Sequence, residues 1–225
     1  MAAADGSSPQ QITRGPGLWQ GSPRWSPDGG RVAFDSQGED GQWDIWTIDA
    51  DGGSLRRLTL DPGNENMPSW SRDGRWIYFQ SERAGTLEVW RIPAAGGPEE
   101  RVTHGGGSVA YESADGKTLF FMRAFVDGPL LALPLAGGSE RKVLDCVPLW
   151  GFALGPGGLY HLGCEEGPTG RPLYLLDPAT GQDRLLGQLE KNAGYGLTVS
   201  PDGKTILYTR SVGEGSDLMM IENFR

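Results

Sequence analysis

Apolar residues along this chain come in runs of three or four, each closed off by a corner rich in Gly, Pro, Asp and Ser. A first set of runs is Val32–Phe34, Trp76–Phe79, Leu119–Met122, Leu159–Leu162 and Ile206–Tyr208. A second set follows at a similar offset: Ile45–Ile48, Val89–Ile92, Leu130–Leu133, Leu173–Leu176 and Leu218–Ile221. Runs this short, rich in aromatic and β-branched residues and without a sustained 3.6-residue period, predict strands and no long helix.

The corners repeat. Trp25-Ser-Pro-Asp-Gly29, Trp70-Ser-Arg-Asp-Gly74, Glu112-Ser-Ala-Asp-Gly116, Leu154-Gly-Pro-Gly-Gly158 and Val199-Ser-Pro-Asp-Gly203 align, with their fourth residues at 28, 73, 115, 157 and 202. Such a sequence suits a tight strand-to-strand turn: Pro presets φ, Asp bonds back to the local backbone, and Gly supplies positive φ. Gly-containing turns (Gly52-Gly53, Gly96-Gly97, Gly137-Gly138 and Gly181) end the second run in four units, and a more polar run follows, as in Leu55–Thr59 and Glu100–Thr103. With the strand before each corner, this makes four strands per unit, termed a to d, in repeats of 42 to 45 residues. That is the signature of a propeller blade.

The expected fold is therefore all-β, a β-propeller of five four-stranded antiparallel blades. The fifth unit lacks a d strand, and Gln10-Gln-Ile-Thr13 matches the d pattern, so the N-terminal strand is expected to complete the last blade. The same arithmetic fits a fragment of a six- to eight-bladed propeller. Residues 1–9 read as a disordered leader, or as the point where a longer chain was cut, before a single domain over residues 10–225.

Composition agrees. Glycine numbers 36 and proline 16 of 225 residues, while 37% apolar residues and eight tryptophans argue for a packed core. The net charge of −9, with no Lys/Arg-rich run, argues against nucleic-acid binding. No apolar stretch is long enough to span a bilayer, and the N-terminus lacks the basic and apolar regions of a signal peptide.

The motif Pro23-Arg-Trp-Ser-Pro-Asp-Gly29, followed by Val32-Ala-Phe34 and Asp44-Ile-Trp-Thr-Ile-Asp49, resembles the repeat of TolB-like, WD40-like propellers, and Pro68–Gly74 with Ile77–Arg83 repeats it. The third and fourth units depart from it, Glu112 and Gly157 replacing the usual Trp and Asp. More narrowly, the chain through Gly215–Arg225 resembles the C-terminal propeller of bacterial sensor-regulators that carry a winged-helix or kinase domain. The resemblance implies a non-enzymatic protein- or peptide-binding scaffold or sensory domain, bacterial and periplasmic; otherwise, with no export signal, the chain would be cytoplasmic. A monomer is expected.

Chemistry is sparse. Ser22, Ser54, Ser108, Ser139 and Ser216 never form Gly-x-Ser-x-Gly, so no catalytic nucleophile is expected. His161 and Cys164 form a His-x-x-Cys pair, short of the three or four ligands zinc needs, and His104 is isolated in a loop. The acidic loop Asp35–Asp44 fails the calcium-loop pattern and reads as solvated. No cofactor or metal is expected. Cys146 and Cys164, the only cysteines, fall in loops on one face of the ring; a disulfide and two unlinked thiols are both open. Matching slots for Trp25 with Trp70, and Trp46 with Trp90, point to packing between blades. Trp19, Trp150 and Tyr195 instead fall in d-to-a loops and are candidate partner anchors, joined by the polar residues Asp61, Asn64, Glu65, Asn66 and Glu112. The rival reading is a polysaccharide lyase or glycosidase using funnel carboxylates such as Asp35, Glu65 and Glu112.

Overall fold

A computed structural model describes residues 1, 7–15, 17–213 and 215–222, with the backbone alone at 195 and 215–217; every element in it is a β-strand. Blade 1 comprises β1 (Trp19–Trp25), β2 (Arg31–Gln37), β3 (Trp43–Asp49) and β4 (Arg56–Arg57). Blade 2 comprises β5 (Glu65–Trp70), β6 (Trp76–Ser81), β7 (Glu88–Pro93) and β8 (Glu100–Arg101). Blade 3 holds β9 (Ser108–Glu112), β10 (Thr118–Met122), β11 (Gly128–Pro134) and β12 (Arg141–Val147). Blade 4 holds β13 (Phe152–Gly155), β14 (Gly158–Leu162), β15 (Arg171–Leu176) and β16 (Asp183–Leu189). Blade 5 holds β17 (Ala193–Val199), β18 (Thr205–Val212) and β19 (Gly215–Glu222). Neighbouring strands pair antiparallel in sequence order within each sheet, giving five blades of a β-propeller. The chain divides into two compact units, Met1–Ala110 and Tyr111–Arg225.

The corners carry one side-chain device. Ser26 Oγ donates to Asp28 Oδ1 (2.5 Å) and accepts from Arg31 N (2.9 Å), while Gly30 N donates to Asp28 Oδ1 (3.0 Å). Ser71 with Asp73, Ser113 with Asp115, and Ser200 with Asp202 repeat it. Gly29, Gly74, Gly116 and Gly203 all sit near φ +70°, the left-handed region a side chain resists. The fourth corner lacks the Ser and Asp and closes as a two-residue hairpin, with Gly155 opposite Gly158. A Cβ on Gly158 would meet Leu176 O at 2.5 Å, so glycine is required there.

A second device pins the outer strands of blades 1 and 2, each only two residues long. Thr59 Oγ1 accepts from Ile45 N (2.9 Å) and donates to Asp44 (3.2 Å), whose other oxygen meets Arg57 at 2.6 Å. Blade 2 repeats this with Thr103, Val89 N, Glu88 and Arg101. All four of these Thr and carboxylate side chains are buried. Burial raises the Asp44 carboxyl despite Arg57 and Thr59. Burial pushes Glu88 the same way, but Thr103, the Gly105 and Gly106 N–H groups and Arg101 together pull it down to about 2.

In the first unit the main cluster joins Ala33, Ile45 and Leu58 of blade 1 to Trp70, Ile77, Phe79 and Ile92 of blade 2. Trp70 Nε1 donates to Arg24 O (3.0 Å), and the Arg31 guanidinium lies over its ring. Trp25, in the same slot of blade 1, is 52% exposed, so matching sequence slots do not share an environment. In the second unit a cluster including Tyr160, Leu162, Leu173, Leu197 and Ile206 joins blades 4 and 5. A disulfide between Cys146 on β12 and Cys164 after β14 ties blade 3 to blade 4, with Cα atoms 5.9 Å apart.

The fourth strand anticipated for blade 5 is not found among the described residues: that sheet has three strands, and Gln10–Thr13 forms none. Ile12 instead packs on Val32, Phe34 and Ile48 of blade 1. One apolar residue between polar neighbours finds a contact there without needing strand geometry.

Trp70→Ala is expected to lower stability by about 3–5 kcal/mol and Trp25→Ala by under about 1 kcal/mol, read from denaturant midpoints. Equal losses would refute the difference in packing. The lowered Glu88 value means that its stabilisation is full above the ordinary value of 4.5 and is lost as pH falls toward about 2. Wild type is therefore expected to exceed Glu88→Gln by on the order of 3 kcal/mol near pH 6. Acid titrations should show the two converging between those limits.

Candidate functional site

In each unit the d-to-a and b-to-c connections meet at the end of the blades opposite the corners. In the first, Trp43 N donates to Asn64 Oδ1 (3.1 Å), and Asp61 pairs with Arg83. In the second, Leu149 N donates to Asp127 Oδ1 (2.8 Å), and Asn192 N to Glu166 Oε2 (3.0 Å). The Gly turns gather at the other end beside the corners, as Ala50 N bonded to Gly30 O and Ala94 N bonded to Arg75 O show.

Trp19 begins β1 and is 67% exposed, although Leu18 N donates to Gln37 O and Ser36 Oγ to Trp19 O. The backbone is fixed while the ring faces solvent. Leu18, which the sequence did not single out, is 77% exposed beside it. In the second unit Trp150 adopts φ +59° and meets Phe125 edge-on, ring centroids 5.3 Å apart, next to the exposed Val126. Phe125 and Val126 were missed because they interrupt no motif; their placement in a b-to-c connection is the one signal that marks them. Glu112, expected on this face, is instead the last residue of β9, half-buried at the corner end beside Ser113, because strand a runs from the connections to the corner; Tyr195 lies in β17 with its side chain outside the described residues.

The polar candidates divide. Asp61 and Asn64 are exposed, Asn66 is half-buried, and Glu65 is fully buried, accepting from Ser81 Oγ (2.8 Å). Burial raises the Glu65 carboxyl against the pull of Ser81 and Arg83. Asp35 is also buried and raised by desolvation; it accepts from Met67 N (2.9 Å), which a bulge in β5 turns toward it. The acidic loop is thus dispersed: Asp35 serves blade 2, Asp44 holds Thr59, and Asp40 accepts from Gln42 N. Among the described residues no group of three or more His, Cys, Asp or Glu is arranged to hold a metal ion. His161 is buried, stacked on Tyr174 and 3.2 Å from Asp183, while Cys164 is taken by the disulfide.

One cleft lies between blades 1 and 2, about 390 Å³ in volume, lined by Leu58, Leu60, Asp61, Arg83, Trp90 and Glu99. Arg83 is only 13% exposed there, paired with Asp61 and Glu99, 3.1 Å from Glu65 Oε1, and placed over the rings of Phe79 and Trp90.

Comparison with known proteins follows the repeat. An uncharacterized protein of Agrobacterium fabrum is 38% identical over 104 residues, covering 46% of this chain and 34% of its own length. Tricorn protease homolog 1 of Streptomyces coelicolor is 33% identical over 152 residues, covering 64% of this chain and 13% of its own length. The chain thus spans about a third or less of these relatives. The crystal structure of TolB from Acinetobacter baumannii superposes with a TM-score of 0.78 at 19% identity, covering 99% of this chain and 56% of that one, which shows the fold. A family model described as TolB beta propeller domain matches residues 5–136, more than half of the chain, and the protein belongs to that family.

Proposed function

We propose that this propeller is a non-enzymatic module that binds a protein or peptide partner through its d-to-a and b-to-c connections. The observation that carries this reading is the Leu18–Trp19 pair: two large apolar side chains held out to solvent on a hydrogen-bonded backbone. The backbone beneath such a pair is ordered before a partner arrives, so binding has only the two side chains to fix. Asp61, Asn64 and Asn66 are the polar surround of that pair in the first unit. Trp150 and Val126 offer a comparable tip in the second unit, where Tyr195 is a further candidate, and Glu112, being at the corner end, is left out of this reading. Glu65, being buried, acts in this reading by holding Ser81 and Arg83.

The lyase or glycosidase alternative needs carboxylates open to a substrate. Asp35 and Glu65 are instead buried and bonded to Met67 N and Ser81, which favours the binding reading. The net charge of −9 favours a protein over a nucleic-acid partner. The chain would act as a monomer and as the sensory or scaffolding part of a larger protein, of the kind that carries a winged-helix or kinase output domain. The Cys146–Cys164 disulfide supports an oxidising compartment such as the periplasm.

A photo-cross-linking residue at position 19 or 126 is expected to trap one defined partner in the native cell, and the same residue at Asp115, in a corner, to trap none. Equal trapping at Asp115, or none at 19 and 126, would overturn the assignment. Protein quenched in acid in its native compartment is expected to offer no thiol to alkylation until reductant is added. Two reactive thiols would rule out the oxidising compartment.

A further inference from the structure

The cleft between blades 1 and 2 holds groups that the fold leaves unused. Trp90 Nε1 is buried with no hydrogen-bond acceptor among the described residues, and Arg83 Nη2, buried in the same cleft, has only the Glu65 carboxylate, 3.1 Å away and off hydrogen-bond geometry. Buried donors without acceptors are rare in folded proteins because each has given up water for nothing. Around the single guanidinium stand three carboxylates, Asp61, Glu65 and Glu99, so the charge here is not balanced. Asp61 is 53% exposed at the mouth, and Leu60 beside it is 75% exposed. The site therefore presents donors inside, negative charge along its wall, and an apolar lip.

We propose that this cleft is a docking groove for an extended peptide segment of a partner protein, carrying a basic side chain. A backbone carbonyl of the peptide accepts from Trp90 Nε1 and Arg83 Nη2. A Lys or Arg side chain of the peptide meets Asp61 and Glu99, and an apolar neighbour covers Leu60. No simpler ligand class offers all three: phosphates are repelled by the carboxylates, and a neutral sugar brings no cation. The groove is particular to blade 2. Ser36 and Ser81 pair with Asp44 and Glu88 in the same register, which puts Gly38 of blade 1 where blade 2 has Arg83. The site takes Asp61 and Arg83 from two connections but runs along the outer strands to Gly97 and Glu99 at the turn end of blade 2, and Trp19 does not line it, so it goes beyond the binding through connections proposed above.

The test uses the whole chain labelled with nitrogen-15 and two capped probes, acetyl-Ala-Lys-Leu-Ala-amide and acetyl-Ala-Glu-Leu-Ala-amide. The indole signal of Trp90 is assigned by its loss in Trp90→Phe. Addition of the lysine peptide to roughly millimolar concentration is expected to move that signal downfield, as a new acceptor on Nε1 must, with the glutamate peptide about tenfold weaker or more. Trp90→Phe, which keeps a ring but removes the N–H, is expected to weaken the lysine peptide about tenfold while leaving the other indole signals in place. Should that variant fail to fold, Leu60→Ser and Glu99→Gln are expected to weaken the same peptide severalfold on their own. An unmoved Trp90 signal, which leaves the donors to water, overturns the proposal, as does equal binding of the two peptides. Trp19→Ala is expected to bind unchanged. If it alone abolishes binding, the groove is refuted while the reading through the connections stands.

Discussion

An outer strand of two residues cannot hold itself to a sheet, because it offers too few ladder hydrogen bonds to offset the entropy of ordering it. Blades 1 and 2 meet that constraint with a buried carboxylate. Asp44 and Glu88 each fix a threonine hydroxyl, which in turn takes the N–H of the next residue on strand c. The arginine two residues before each threonine neutralises the carboxylate and donates through Nε to the threonine carbonyl. Backbone pairing, charge and burial are thus joined in one small unit. Removing any member leaves a buried polar group unpaired, which costs more than the bond itself contributes.

The same constraint positions the cleft. With Thr59 fixed, Leu58 turns into the cluster shared with Trp70 and Phe79 while Leu60 emerges at the surface. With Glu88 fixed, Trp90 two residues on is held beneath Arg83 with its N–H enclosed. The stability of the outer strands and the unused donors of the cleft therefore have a common origin. A side chain locked by its neighbours cannot rotate to find water.

What could be read from the sequence depended on range. The corners were legible because each Ser, Asp and Gly acts within five residues of its partner, so the pattern and the geometry coincide. The clasp was half legible: Asp44 recurs as Glu88 and Thr59 as Thr103 at one spacing of 44 residues, but nothing local says that the two meet. The exposure of Trp25 against the burial of Trp70 was not legible, since it depends on what packs against each blade. Nor were the positive φ angles that residues as different as Ser22, Met67 and Val109 take six positions before the corner Asp, the first two of them in bulges. Tertiary pairing imposes that conformation against local preference. The buried Trp90 N–H, without an acceptor among the described residues, lies furthest from sequence, for such an absence is a property of packing alone.

Blades 3 and 4 show why the clasp is a choice rather than a rule of the fold. Phe121 pairs with Leu131 and His161 with Tyr174, which places Pro129 and Pro172 in the register of Asp44 and Glu88. Proline brings no carboxylate, so the clasp cannot form. These blades instead have outer strands of seven residues, β12 and β16, whose own ladders hold them. Blade 3 adds the Arg123–Glu140 ion pair and, through Cys146, a covalent tie to blade 4. One unit secures short outer strands with buried charge and the other secures long ones with backbone and sulfur. Acid should therefore loosen the outer strand of blade 2, whose Glu88 carboxyl is held down to about 2, before the outer strands of the second unit, and a reductant should act on the second unit alone.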